Sequence, residues 1–491
     1  MDPFRAALSA GLSSYGAAPC IEFERRWYCG DDITGYAAAV DDHLDRAGIA
    51  RDEPIGIVTR NRVPHAAATL GLIAAGRPVV MIYSYQSARS IARDVAALRL
   101  PAILADRQDW TAPVLAAAER LGAAGLALTD RPLGVDVVTA GPRTGAGGPD
   151  QALRQAGLHI LTSGTSGAPK RVPVPTAALQ HTVLTMTIGH TPAPNDPPEL
   201  VYWPFGSVGI CQLLAAPYTG KRMVLLEKFT VDEWVRAVRT YRIRRTGVQP
   251  AILRMLLDAE VAPEDLASLE YLVGGSGPLD RRLRDAFEQR YGIPLLWAYG
   301  ATEFAGSVCA WTPDLHRRYG HTKPESAGRP LPGVQVRIVD PDSGAPLPGG
   351  RRGLLEARVQ AIGPDWVRTT DIASVDADGF ITVHGRGDGA INRGGFKILP
   401  ETVRAVLVAH PGVRDACVVG LPDDRLGEVP AAAVEAHAPG SAPSPDELTR
   451  LVRDALPSHH VPAAIVVVDR LPRNAALKVR PGEVADLFGS R

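Results

Sequence analysis
The sequence predicts an α/β fold: a large N-terminal domain of β/α sheets with a β-rich subdomain at about 325–386, then a small α+β C-terminal domain. Three observations predict it. Short apolar runs alternate with helically spaced segments over 30–106 and again over 200–298, the rhythm of parallel β/α units. From about 325 that rhythm gives way to strand-like runs parted by turns such as Pro348-Gly349-Gly350 and Asp378-Gly379. Beyond Pro400 two amphipathic helices alternate with three strands. A chain of 491 residues is ample for two domains and a large core.

Taken in order, 33–47 has helical spacing, 54–59 is a short apolar strand and 66–75 a helix. Strands at 78–82 and 102–105 flank a helix at 87–98, with Ser87 as its N-cap. A Gly/Pro-rich connector occupies 140–151. Strands follow at 200–203, 222–226, 245–248, 269–273 and 294–298, separated by helices at 208–217, 231–240, 251–259 and 279–290. The β-rich part contributes strands at 333–340, 353–359 and 380–384. In the C-terminal domain, a helix at 400–410 turns Val403, Val406 and Leu407 inward, and one at 445–456 turns Leu448, Leu451, Val452 and Ala455 inward. Its strands lie at 416–421, 429–435 and 464–468.

Charge is balanced, with 53 basic and 53 acidic residues. No basic stripe points to nucleic acid, no polybasic patch to a membrane surface, and no apolar run is long enough to span a bilayer. The five cysteines are scattered and form no C-x-x-C, so neither a disulfide framework nor a structural zinc site is expected, and a cytoplasmic setting fits. The N-terminus has no apolar stretch of the kind a secretory leader needs. Only six basic residues are lysine: 170, 221, 228, 323, 397 and 478. In so arginine-rich a chain, a retained lysine marks a place that favours a compact, mobile ammonium over a planar fork. That directs attention to Lys170, Lys397 and Lys478.

Five stretches carry candidate chemistry. Residues 161–170, LTSGTSGAPK, join two apolar runs through a polar loop. Gly164 and Gly167 permit close backbone approach to an anion, Thr162, Ser163, Thr165 and Ser166 offer hydroxyls, and Lys170 adds charge. This is a phosphate cradle in chemical terms, though Pro169 rules out the G-x-x-x-x-G-K-[ST] pattern, and the same composition suits a surface loop. Residues 299–303, YGATE, follow a strand, where open α/β sheets bind ligands. Tyr299 offers a ring to stack on a base, Thr302 a hydroxyl and Glu303 a carboxylate suited to Mg²⁺. Residues 274–278, GGSGP, form a second glycine-rich turn after a strand. Asp371 and Arg386 could hold ribose hydroxyls or form a structural ion pair. Residues 385–400 are rich in glycine at a natural hinge, and 471–480, LPRNAALKVR, present Lys478 on a loop.

In this order and at these separations, the motifs resemble those of the acyl-adenylate-forming superfamily: acyl- and aryl-CoA ligases, nonribosomal peptide synthetase adenylation domains and luciferases. The resemblance spans nearly the whole chain and is strongest to freestanding acyl- or aryl-CoA ligases. It implies a large N-terminal domain, 1–386, and a small mobile C-terminal domain, 387–491, with Asp388 at the hinge. It also implies that Thr162, Ser163, Gly164, Thr165, Ser166, Gly167 and Lys170 hold the β- and γ-phosphates of ATP. Gly275, Ser276 and Gly277 would line the adenine and acyl pocket, with Tyr299 and Gly300 at adenine. Thr302 would lie near the α-phosphate, Glu303 on Mg²⁺, and Asp371 with Arg386 at the ribose. Lys478 would bridge the acid's carboxylate and the α-phosphate. After rotation of the small domain, Gly394, Gly395 and Lys397 would face the thiol of coenzyme A.

The acyl pocket is expected to draw on Trp203, Phe205, Gly206, Val208, Gly209, Val248 and Phe304. Amino-acid-activating relatives carry Asp where Gly206 stands, so a bulky hydrophobic, aromatic or polycyclic acid is expected rather than an α-amino acid. The implied substrates are that acid, ATP with Mg²⁺, and CoA, with a separate carrier protein as the alternative acceptor. A non-catalytic nucleotide binder and a luciferase-like oxygenase are further alternatives. Three residues depart from the family pattern. Arg171, Thr370 and Leu477 all stand where glycine is usual.

Overall fold
The apolar runs of the first third build the centre of a seven-stranded sheet. Strands Ala124–Asp130, Ala102–Asp106, Ile55–Thr59, Val79–Tyr83 and Gly157–Thr162 lie side by side in that order, all parallel. Leu133–Ala140 and Lys170–Pro175 close the two edges antiparallel. The three inner strands are buried along nearly their whole length, which is why their sequences read as unbroken apolar runs rather than alternating ones. Helix Ala88–Leu98 begins as expected, with the Ser87 hydroxyl accepting the Ser90 N–H at 3.2 Å.

The computed structural model describes residues 2–84, 86–130, 132–140, 148–162, 170–186, 196–205, 210–275, 279–301, 304, 306–387, 389–393, 396–423, 426–437, 442–474 and 477–489. They fall into two compact units. The first comprises Met1–Thr246, Ala259–Tyr271 and Ala301–Ser307. It holds the seven-stranded sheet and a smaller one in the order Glu199–Val201, Met223–Leu225, Pro19–Phe23, Arg26–Cys29. The second comprises Gly247–Asp258, Leu272–Gly300 and Val308–Arg491. In it residues 272–274 and 295–297 pair in parallel, and Val334–Val339, Gly353–Val359, Val367–Val375 and Ile381–Arg386 form an antiparallel meander. Its last sheet runs Phe396–Ile398, Ile391–Arg393, Gly427–Ala436, Val413–Asp423, with Ala464–Val468 pairing parallel to Gly427–Ala436. Val403, Leu407, Leu448 and Val452 fill the core above it.

Several elements were not legible in the sequence. Helix Pro3–Ser14 is rich in Ala and Ser and buries only Phe4, Leu8 and Leu12, and its start is fixed by Asp2 accepting from the Phe4 N–H. Helix Ala112–Leu121 and strands Ala124–Asp130 and Leu133–Ala140 were equally missed, the first because Ala dominates it. Strand Val367–Val375 was missed because polar residues outnumber apolar ones in VRTTDIASV and most of it stays half-exposed. Helix Pro445–Ala455 leaves Ala455 exposed, since its buried stripe is carried by Leu448 and Val452.

Candidate active site
The phosphate-cradle stretch is the connection of a β-hairpin. Gly157–Thr162 and Lys170–Pro175 pair antiparallel with Thr162 opposite Lys170, so both ends of the motif meet at one point on the sheet edge. Ser163, Gly164, Thr165, Ser166 and Gly167 lie outside the described residues. Arg171, unusual where glycine is common, forks onto Asp94 of the neighbouring helix at 2.7 and 3.3 Å, so the extra side chain is accommodated by an ion pair.

The clearest convergence lies in the second unit. Asp371 and Arg386 are direct cross-strand partners in the antiparallel meander. Tyr299 sits inside strand Leu295–Ala301, so the YGA of YGATE belongs to the strand itself rather than following it. Its hydroxyl donates to Asp371 Oδ2. Burial, reinforced by the Asp371 charge, pushes the Tyr299 phenol far above its ordinary range, so it stays a donor at any physiological pH. Residues 72 positions apart thus present a ring and a carboxylate at one place, with Arg386 opposite Asp371 on the paired strand. A carboxylate accepts hydrogen bonds only, which suits vicinal hydroxyls. Thr370, one residue before Asp371, is exposed, because alternate residues of a strand face opposite sides. The Thr370 carbonyl accepts the Gly387 N–H at 2.6 Å.

Thr302, Glu303, Asp388, Gly394 and Gly395 lie outside the described residues, as do Ser276 and Gly277. Backbone at Lys397 belongs to strand Phe396–Ile398 and pairs with Asn392. In the 274–278 turn, a Cβ on Gly274 would come within 1.8 Å of the Trp297 ring, so that glycine is required for packing. Gly275 has more room, its nearest neighbour being the Ala298 carbonyl at 3.4 Å. Gly300 is exposed on its strand.

Among the acyl-pocket candidates, Phe205, Val248 and Phe304 are shut off from solvent, and Trp203 is half-buried. Gly206, Val208 and Gly209 lie outside the described residues. The structure adds a residue the sequence did not single out. Asn61, 1% exposed, donates through Nδ2 to the Trp203 carbonyl at 2.8 Å and accepts the Phe205 N–H at 3.0 Å. It clamps the backbone on both sides of Pro204. An Asn in the short connection between a strand and a helix was the only hint.

Lys478 lies on a loop tied down by its own backbone. Its N–H donates to Asn474 Oδ1 at 3.0 Å, and its carbonyl accepts the Asn474 N–H at 2.8 Å. The side chain is exposed, yet the protein crowding around it lowers its ammonium pKa by desolvation. Leu477 before it has φ +59°, the left-handed region that glycine adopts freely. A leucine there costs roughly 1–2 kcal/mol, so this departure from the family pattern carries real backbone strain. Other retained lysines have structural work. Lys323 pairs with Asp376 and Asp378, and the buried Lys221 pairs with Glu199 at 2.9 Å.

All five cysteines are free thiols, and burial pushes Cys20, Cys211, Cys309 and Cys417 up to about 12. Among the described residues no helix is long and apolar enough to cross a membrane.

Residues 10–363 match the family described as AMP-binding enzyme, and 403–478 match the AMP-binding enzyme C-terminal domain, a match that ends on Lys478. The chain is 27% identical over 485 residues to a 2-succinylbenzoate–CoA ligase of Bacillus cereus, covering 95% of each. It is 31% identical over 285 residues to a fatty acid–acyl-carrier-protein ligase of Streptomyces coeruleorubidus, covering 55% of this chain and 54% of that one. Among solved structures, an amide bond synthetase from Marinactinospora thermotolerans superposes with a TM-score of 0.81 at 26% identity, covering 99% of this chain and all of the other.

Proposed function
We propose, from the premise that this chain belongs to the AMP-binding enzyme family, that it is an AMP-forming acid–thiol ligase. It activates a carboxylic acid with ATP to an acyl-adenylate, releasing pyrophosphate, and then passes the acyl group to the thiol of coenzyme A, releasing AMP. The observation that carries this reading is the meeting of Tyr299 and Asp371, with Arg386 paired to Asp371 across the strands. Two motifs remote in sequence converge where a nucleoside's base and ribose would need a ring and an acceptor.

The chemistry follows from charge. A carboxylate is a poor nucleophile and is repelled by the triphosphate. The 162–170 hairpin loop supplies donors and Lys170 to the β- and γ-phosphates, while Tyr299 and Asp371 fix the nucleoside. Lys478 lies between the acid's carboxylate and the α-phosphate, screening their repulsion and holding an in-line approach. Magnesium arrives with ATP, and Glu303 is the carboxylate that would meet it. In the second step the domain 387–491 turns about Asp388, withdraws Lys478 and brings the 394–397 face to the acyl group. A cytoplasmic setting belongs to the same reading, supported by five unpaired thiols.

The acid is bulky and hydrophobic, aromatic or polycyclic. Gly206 has no side chain with which to anchor an α-ammonium, and likeness to a succinylbenzoate ligase supports the aromatic class. Likeness to a carrier-protein ligase supports a second acceptor, a phosphopantetheinyl carrier domain. A panel of benzoic, cinnamic, fatty and amino acids, read by pyrophosphate release, tests the acid. Repeating it with CoA, a loaded carrier protein or a simple amine tests the acceptor. Aryl substrates with CoA-dependent thioester formation are expected. Preference for amino acids would overturn the pocket assignment, and thioester formation on carrier protein alone would replace CoA.

A further inference from the structure
The loop that presents Lys478 is held by a buried ionic cluster that no sequence motif announces. Asp415, 2% exposed on strand Val413–Asp423, accepts from three guanidiniums. Arg404 of helix Pro400–Val408 reaches it at 2.7 Å, Arg254 of helix Pro250–Asp258 at 3.1 Å, and Arg473 at 2.5 Å. Three positive charges around one carboxylate keep it ionised well below the usual carboxylate range, against the cost of burial. Arg473 does more than neutralise. Its second terminal nitrogen donates to the Leu477 carbonyl at 3.1 Å, and its backbone bridges to Val479. The guanidinium therefore spans from the fixed carboxylate to the peptide immediately before Lys478, at the residue whose φ is +59°. Glu435 supports the same arginine at 3.7 Å and accepts the Leu471 N–H at 3.0 Å, fixing the start of the loop.

We propose that Asp415 and Arg473 act as a positioning pair for the Lys478 loop. By holding the Leu477 peptide in its left-handed conformation, they set where the ammonium is presented for acid activation. The proposal rests on the role given to Lys478 above, and neither residue touches substrate. A rigid planar fork is needed because two acceptors must be reached at once, which a lysine ammonium on a flexible stem does less well.

Two arms test this. In the first, amide hydrogen exchange of 473–480 is compared in the wild-type chain, Arg473→Gln and Arg473→Lys. Arg473→Gln should exchange faster at Leu477 and Lys478 while strand 413–423 keeps its protection, and Arg473→Lys should fall between. Unchanged loop exchange in Arg473→Gln would overturn the proposal. In the second, adenylation is measured by ATP–pyrophosphate exchange with 4-coumarate and anthranilate, and thioester formation from supplied 4-coumaroyl- and anthraniloyl-adenylate with CoA. Arg473→Gln should slow adenylation about 10- to 100-fold, the scale of a small misplacement of a reacting group, and leave thioester formation within about twofold. Equal loss in both steps would mean a purely structural cluster. Asp415→Asn should repeat the pattern, and if it fails to fold, Arg473→Gln alone decides. Absence of exchange in the wild-type chain would count against the ligase reading, while the hydrogen-exchange arm still decides the positioning role.

Discussion
Leu477 occupies a conformation that costs it energy, one residue before Lys478, the lysine proposed to bridge the acid and the α-phosphate. Leu477→Gly should remove roughly 1 kcal/mol of local strain and keep or raise the adenylation rate. Leu477→Val, β-branched at positive φ, should lower both melting temperature and rate. A faster enzyme with valine would show that the strain is irrelevant. The other two departures from the family pattern are accommodated locally. Arg171 has Asp94, and Thr370 faces outward from its strand. Lys478 itself makes a pH prediction. Desolvation favours the neutral amine, so the required ammonium is lost at a lower pH than the ordinary lysine value of 10.5. The alkaline limb of adenylation should therefore fall below that value.

At the scale of elements, Asn61, between a strand and a helix, fixes the backbone at 203–205, the proposed wall of the acyl pocket. Asn61→Ala would leave the Trp203 carbonyl and the Phe205 N–H without their buried partner, a cost of about 1–3 kcal/mol. The expected outcome is a raised KM for the acid with KM for ATP little changed. An equal rise in both would place Asn61 in general stability instead. This residue also shows what the sequence could not tell. The inner strands were legible because they are buried on both faces and read as apolar runs. Asp371 and Arg386 were legible as a pair by residue type, but not the strand Val367–Val375 that sets them opposite each other, since its half-exposed polar residues lack strand patterning. Asn61 and Asp415 act through backbone groups and arginines brought together by the fold from 142 and 161 positions away. No local pattern encodes such a contact. Lys221 and Lys323 show that a lysine retained in an arginine-rich chain also serves plain ion pairing.

For the whole molecule, acid sensitivity follows from histidines held neutral. His384 pairs with the Ser374 hydroxyl at 2.9 Å, and burial with the Arg352 charge lowers its pKa from 6.5 to about 4. The fully buried His65 is shifted the same way. Below the unfolded value the unfolded chain binds protons that the folded chain refuses, so stability rises with pH across this window. The contribution is complete above pH 6.5 and is lost as pH falls towards 4. Melting temperature should drop across that range, and His384→Asn should flatten the drop. An unchanged slope would exclude His384 as a cause. The proposed roles of the hairpin loop, of Tyr299 with Asp371 and of the Lys478 loop have one decisive readout. Exchange of labelled pyrophosphate into ATP should depend on an aryl acid, need no CoA, and vanish in Lys478→Ala, while that variant still converts supplied anthraniloyl-adenylate and CoA to the thioester. No exchange with any acid, or equal loss of both steps in Lys478→Ala, would contradict them.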